Sequence, residues 1–259
     1  MRVIVTTLGV YVAAVAAVFG LQLLAVSALA ARGSGPLDLE AAGLAPLLAG
    51  VSASSLGLAA IAWLAAGRPR RARLRIGRGR ATRATLGALV VGTLALGQAL
   101  ESLTYLLGVG PGANLDWIAR TLAAARPAEL GLAVLVIGGL APAGEELFFR
   151  GFMLTRLRQM WSAGPAILVS ALAFGVIHGE WVHGLLAAGL GVYLGLVVER
   201  TGSVGPAVLC HVGNNTVSVV LAALVGPLHG RGVHAVLLVA STALLLGAGR
   251  WLPRPAAID

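Results

Sequence analysis

Three short polar constellations interrupt the apolar runs of this 259-residue chain. They are Gly144-Glu145-Glu146-Leu147-Phe148-Phe149-Arg150, Phe174-Gly175-Val176-Ile177-His178 and His211-Val212-Gly213-Asn214-Asn215. Ionisable groups inside an apolar span cost several kcal/mol, so they are functional candidates by default. Glu146 and Arg150 stand four apart with the acid first, the favoured order for an ion pair within a helix. Glu145 lies about 100° round a helix from Glu146. It therefore points elsewhere, has no partner in its own helix, and is a candidate general base. The motif divides into Glu145 for chemistry and Glu146 with Arg150 for structure. Two acids merely placed at a membrane boundary are the blander reading, and the following Phe-Phe-Arg speaks against it.

His211 and Asn215 share a helix face, and Phe174, one turn before His178, is placed to pack beside its imidazole. A lone membrane histidine is more often a packing residue than a catalyst. Two histidines, an amide and a free glutamate on three helices that can converge suit a hydrolytic site. His183 falls off the face of His178 and near the outer boundary, and His229 and His234 flank the turn Leu228–Val233. These three are read as background, as is Glu101, which has no obvious partner.

The elements that must position these residues are membrane helices. Apolar residues make up 58% of the chain and charged ones 11%, against roughly 25% charged in a soluble domain. Mean hydropathy is +0.91, which excludes a water-soluble fold. Eight apolar segments are expected: Val3–Ala31, Ala45–Ala66, Ala84–Leu107, Leu130–Phe149, Pro165–His178, His183–Val198, Val204–Val225 and Val233–Leu252. The fold class is all-α, a polytopic membrane helix bundle of about eight transmembrane helices, or seven if the short fifth and sixth segments form a broken pair. The first segment ends Ala28-Leu29-Ala30-Ala31, which mimics a cleavage site, but its apolar run is too long for a signal peptide. It is read as a retained anchor. Residues 1–129 are read as N-terminal helices with a basic loop, 130–225 as the catalytic core, and 226–259 as a last helix and tail. Gly175 with Gly179 and Gly191 with Gly195 have the spacing that lets helices approach closely. Asp116, Trp117 and the stretch to Glu129 are read as an external loop or interfacial helix.

The charge of +9 rests on 19 arginines with no lysine, eight of them in Arg68–Arg83. With that loop cytoplasmic, fifteen arginines lie on or near the inner side, and Arg32, Arg120, Arg126 and Arg231 lie outside. That is the positive-inside pattern. It gives a multi-pass protein of the cell (inner) membrane with both termini cytoplasmic, and it removes the need for a nucleic-acid partner. Partners are then the lipid bilayer and a membrane protein or peptide substrate. A single cysteine, Cys210, excludes an internal disulfide and a zinc–cysteine cluster.

The order Glu-Glu-x-x-x-Arg, Phe-x-x-x-His, His-x-x-x-Asn, each on its own apolar helix, resembles the CPBP family (CAAX protease and bacteriocin-processing, Abi) of intramembrane endopeptidases. That family includes the type II CAAX prenyl endopeptidase. The likeness covers about Leu130–Val220, and Arg200-Thr201-Gly202-Ser203-Val204-Gly205-Pro206 leading into His211 shares it. The resemblance implies that Glu145 activates water with help from His178. It implies that His211 and Asn215 hold the scissile carbonyl and its oxyanion, and that Glu146 and Arg150 brace the site. It leaves the cofactor open. Glu145, His178 and His211 match a His₂Glu zinc set with an open water position, but no His-Glu-x-x-His pair exists and each ligand comes from a different helix. Metal-free glutamate chemistry is slightly favoured.

Asp38, Asp116 and Asp259 all lie outside the spans, which excludes a paired-aspartate protease, and the lack of Gly-x-Ser-x-Gly disfavours a serine one. A proton-coupled transporter using Glu145, His178 and His211 as a relay is a second reading, and a non-catalytic scaffold or bacteriocin-immunity protein a third. Abundant Ala, Gly and Arg without lysine fits a GC-rich bacterial genome, where protein prenylation is unexpected. A CAAX tail is therefore not fixed as the substrate.

Overall fold

The computed structural model describes residues 1–30 and 43–253. Ala31, Arg32, Asp38, Arg254 and Asp259 lie outside the described residues. Seven helices are long and apolar enough to cross a membrane, and an eighth is shorter. The long ones are α1 (Arg2–Ala30), α2 (Leu44–Ala65), α4 (Arg83–Leu106), α6 (Pro127–Leu157), α8 (Trp181–Thr201), α9 (Val204–Leu224) and α10 (Arg231–Gly249). The fourteen-residue α7 (Ala163–Val176) is the shorter one, and α3 (Arg70–Arg73) and α5 (Ala113–Ala123) are surface pieces. The chain is an all-α polytopic bundle, as its apolar segments require. No strand occurs among the described residues.

Two helices are longer than their apolar runs. α6 starts early because Glu129 accepts the Arg126 backbone N–H at 2.9 Å and Pro127 takes the first-turn position, where its missing donor costs nothing. It runs on past Phe149 to Leu157. α8, expected to be short, is a full 21 residues. The carboxylate of Glu180 accepts the Val182 and His183 N–H groups at 2.8 and 3.1 Å, so the helix begins ahead of His183. At the other end Glu199 is held by Arg75 at 2.6 Å and Arg158 at 2.7 Å, so charge does not stop the helix. Gly202, with φ +75°, does.

The arginine-rich segment between α2 and α4 is built into the fold. Leu74 is fully buried. Ser203 Oγ donates to the Gly77 carbonyl at 2.7 Å, and the Arg80 N–H donates to the Thr201 carbonyl at 2.9 Å. Arg70 Nε and Arg156 Nη2 donate to the carbonyls of Trp63 and Ala65 at 2.8 and 3.3 Å. Guanidinium groups thus satisfy acceptors that α2 leaves open at its C-terminus.

Small residues set the tightest crossings. A Cβ on Gly191 would lie 3.1 Å from the Ala171 Cβ, and one on Gly195 would lie 2.8 Å from Ile167 Cγ2, so α7 and α8 meet along this face. Gly175 meets Gly184 backbone to backbone. Gly179 differs from the packing role expected of it. Its φ of +71° makes it the left-handed residue that reverses the chain after α7. Phe148, Phe149, Phe152, Phe174 and Leu194 are all buried in the main core.

Candidate active site

The helix that carries the two glutamates is wound in an unusual way. Val134–Leu140 and Leu147–Leu154 have i→i+5 winding, and Ala141–Glu146 is an α-helical segment between them. Such wide turns inside helices recur at functional sites. Gly144 brings this segment against the Ser55 carbonyl of α2, where a Cβ would collide with it.

Glu146 is fully buried and its Oε1 takes two partners, Arg150 Nη1 at 2.8 Å and His211 Nδ1 at 3.0 Å. The expected Glu146–Arg150 pair is present, with His211 of α9 joined to it. Glu145 Oε2 lies 3.8 Å from His211 Nε2, so one imidazole stands between two carboxylates. Glu146 Oε2 and Arg150 Nη2 are buried without a hydrogen-bond partner among the described residues. The guanidinium also lies over Phe174, 4.4 Å from the ring centroid. Glycine at 191 makes room for it, since a Cβ there would sit 2.7 Å from Arg150 Nη2.

Phe174 joins the parts. Its ring is edge-on to His178 at 4.9 Å and 88°, and to His211 at 5.7 Å and 87°. His178 Nδ1 lies 2.8 Å from the Phe174 carbonyl. A carbonyl only accepts, so Nδ1 carries the hydrogen and the neutral ring keeps its lone pair on Nε2.

Asn215 has an occupation that its spacing did not reveal. The Ala141 N–H bonds the Val136 carbonyl, five residues back. Continued by one residue, that register would pair Ile137 with residue 142, which is proline and has no N–H. Asn215 Nδ2 donates to the Ile137 carbonyl at 3.3 Å and fills the gap. Thr216 packs on Gly138 beside it, so α9 is seated on α6 at the break. The Asn214 amide donates to Asn215 Oδ1 at 3.3 Å.

The structure therefore brings Glu145, Glu146, Arg150, Phe174 and His211 together with His178 beside Phe174, while Asn215, one turn past His211 on α9, contacts Ile137 instead. His178 is related to the glutamates through Phe174 and makes no bond to either. His183, expected to lie apart from His178, has its ring 4.3 Å away. The left-handed Gly179 and the Gly175–Gly184 contact produce this, and helical phase counted from His178 misses it. Ser170, which donates to the Phe149 carbonyl at 2.9 Å, also escaped the sequence reading, having no charge to announce it. His234, expected as turn-flanking background, is buried in a network of its own with Ser102.

Glu145, His178 and His211 do not converge as metal ligands, and no three His, Cys, Asp or Glu side chains group in that way among the described residues. As placed, these three side chains do not form a His₂Glu zinc centre.

A family model described as "Type II CAAX prenyl endopeptidase Rce1-like" matches residues 127–217, about a third of the chain. The match begins at the first residue of α6 and ends two residues past Asn215. No curated protein and no solved structure matches. Seven apolar helices make the chain a multi-pass membrane protein, and the matched third of it is similar to a family of proteases. This segment, with its two glutamates, two histidines and asparagine in order, is what the chain shares with the type II CAAX prenyl endopeptidase family.

Proposed function

We propose that the protein is an intramembrane endopeptidase acting on membrane-associated or lipidated proteins. The observation that carries this is the meeting of Glu145 with His211 beside a fully buried Glu146–Arg150 pair, inside the segment that matches a CAAX endopeptidase family. Glu145 takes a proton from a water molecule, whose oxygen attacks the scissile carbonyl carbon. His178 Nε2 accepts the second hydrogen of that water and orients it. The tetrahedral oxyanion is held by His211, whose Nδ1 side Glu146 braces, and by the second amide hydrogen of Asn215. The proton held by Glu145 passes to the departing amine as the C–N bond breaks. A gap of 3.8 Å between Glu145 and His211 leaves room for one bridging oxygen, and such contacts tighten only when substrate is bound.

The arginine-rich face is taken as cytoplasmic, with both termini on it. Arg2, the Arg68–Arg83 block, Arg156, Arg158, Arg200 and Arg250 gather at one end of the bundle, and Arg120, Arg126 and Arg231 at the other. Reporter fusions at Gly77 are expected inside, and an outside signal overturns the orientation. The activity is tested with purified protein in nanodiscs and a farnesylated CAAX-type peptide, with membrane peptidomes of wild type and Glu145→Ala compared alongside. Peptides that accumulate only with Glu145 intact support an endopeptidase. Identical peptidomes together with no peptide cleavage overturn it.

A further inference from the structure

The turn between α7 and α8 places two imidazoles together, and only one of them has been given a role. Gly175 and Gly184 fix the distance: a Cβ on Gly175 would lie 2.5 Å from the Gly184 carbonyl oxygen, and one on Gly184 would lie 2.9 Å from that of Gly175. Gly179 reverses the chain, and Glu180 holds the backbone of His183 itself by accepting its N–H at 3.1 Å. Neither the turn nor the start of α8 can therefore drift. Across this turn the two rings meet at 4.3 Å and 61°.

We infer that His183 is a positioning residue for His178, the second wall of a clamp that leaves the His178 ring one orientation and one free nitrogen. The first wall is Phe174, edge-on at 4.9 Å, and the Phe174 carbonyl takes Nδ1–H at 2.8 Å. Those two contacts lie on the same element as His178, one turn back. Without the His183 ring packed against it at 4.3 Å, the imidazole can rotate about its Cβ–Cγ bond, break the Nδ1–H bond and exchange tautomers. With His183 in place, the lone pair stays on Nε2, the nitrogen left for the water. The ring fits the role by shape: its nitrogens make no hydrogen bond among the described residues, and its contact with His178 is aromatic. The inference deepens the proposed hydrolytic mechanism and rests on His178 acting there as the acceptor that orients water.

The test uses full-length protein in nanodiscs with ¹⁵N-labelled histidine, the His178 signals being assigned through His178→Gln. Wild type should show one His178 tautomer with the hydrogen on Nδ1. His183→Ala should mix the tautomers and lower kcat on a farnesylated CAAX-type peptide by about tenfold or more, towards the ~10²-fold that a misplacement of about 1 Å can cost, with KM little changed. His183→Phe keeps a ring and should restore both the single tautomer and most of kcat. His183→Leu fills the space without a flat ring and should fall between them. An unmixed tautomer in His183→Ala overturns the clamp, and so does a His183→Phe that behaves like His183→Ala. Should the wild type not cleave peptide at all, the hydrolytic reading fails, while the tautomer measurement still decides whether His183 holds His178.

Discussion

His211 and His234 are 3% and 1% exposed, yet their surroundings are opposite in kind. His234, on α10, has Nε2 3.1 Å from the Leu228 carbonyl, so Nε2 donates and Nδ1 accepts from the Ser102 hydroxyl at 3.3 Å. Gln98 donates to Ser102 Oγ at 3.1 Å, and Tyr105 stacks on the imidazole at 3.8 Å while its hydroxyl accepts the Gly230 N–H. Neutral partners meet both ring nitrogens. His211 is instead set between two carboxylates, beside an ion pair that keeps one acceptor and one donor without partners. Buried charges with unmet hydrogen-bonding capacity are costly. That cost is concentrated around α6 and α9, within the family match, while the hydrogen bonds that join α4 and α10 run between uncharged groups, and the nearby Glu101 acts on His234 only through space. Burial does not tell the two histidines apart. What their nitrogens face does.

The sharpest way to break the comparison is Glu145→Gln. It keeps the shape and removes the base, and turnover should fall by about 10⁴-fold, the upper end of what acid–base groups contribute. Abundance in the membrane should stay normal, because the buried Glu146–Arg150 pair is left intact. Near-normal turnover sinks the assignment. Arg150→Ala acts on the same site in a different currency. It leaves the buried Glu146 with His211 as its one remaining partner, for an expected loss of about 3–5 kcal/mol in unfolding experiments. Glu146→Gln should fall in the same direction, and equal stability of Arg150→Ala and Glu145→Gln removes the division of roles between neighbouring acids.

Asn215→Ala comes next. As an oxyanion donor it should cost about 10²–10³ in kcat with KM little changed. Its bond to Ile137 adds a stability loss of about 1–3 kcal/mol, the penalty of a buried carbonyl left open. A stability loss with unchanged kcat would mean that Asn215 only seats α9. The smallest effect belongs to His234→Phe, which keeps the stack on Tyr105 and removes two neutral hydrogen bonds. Stability should drop by no more than about 1–3 kcal/mol and kcat should be unchanged. A large fall in kcat would erase the contrast between the two histidines.

Much of this was legible in the sequence because helical period and burial act along one chain. Glu146 and Arg150 pair as their spacing requires, and Phe174 packs on His178 one turn later. The apolar runs located every long helix. The misses arise where two chain segments meet. His183 reaches His178 through a left-handed turn and a glycine–glycine crossing, neither of which has a periodic signature. Asn215 finds Ile137 because i→i+5 winding brings Pro142 into register with that carbonyl, and winding of this kind is set by packing. α8 extends past the apolar segment His183–Val198 at both ends because Glu180 caps the helix and Glu199 is doubly paired, contacts that hydropathy does not register.

The fourteen residues of α7 have a consequence for how reactants arrive. At 1.5 Å per residue the helix rises about 21 Å, against a hydrocarbon core of about 30 Å. A span shorter than the core is accommodated by local thinning of the bilayer or by a polar end that neighbouring helices cover. The proposed hydrolysis would consume one water per bond cut, and a catalyst sealed in hydrocarbon would run dry. Thinning at the turn of His178 and His183 would shorten the path of water, and of a substrate tail lying in the interface, to the carboxylates.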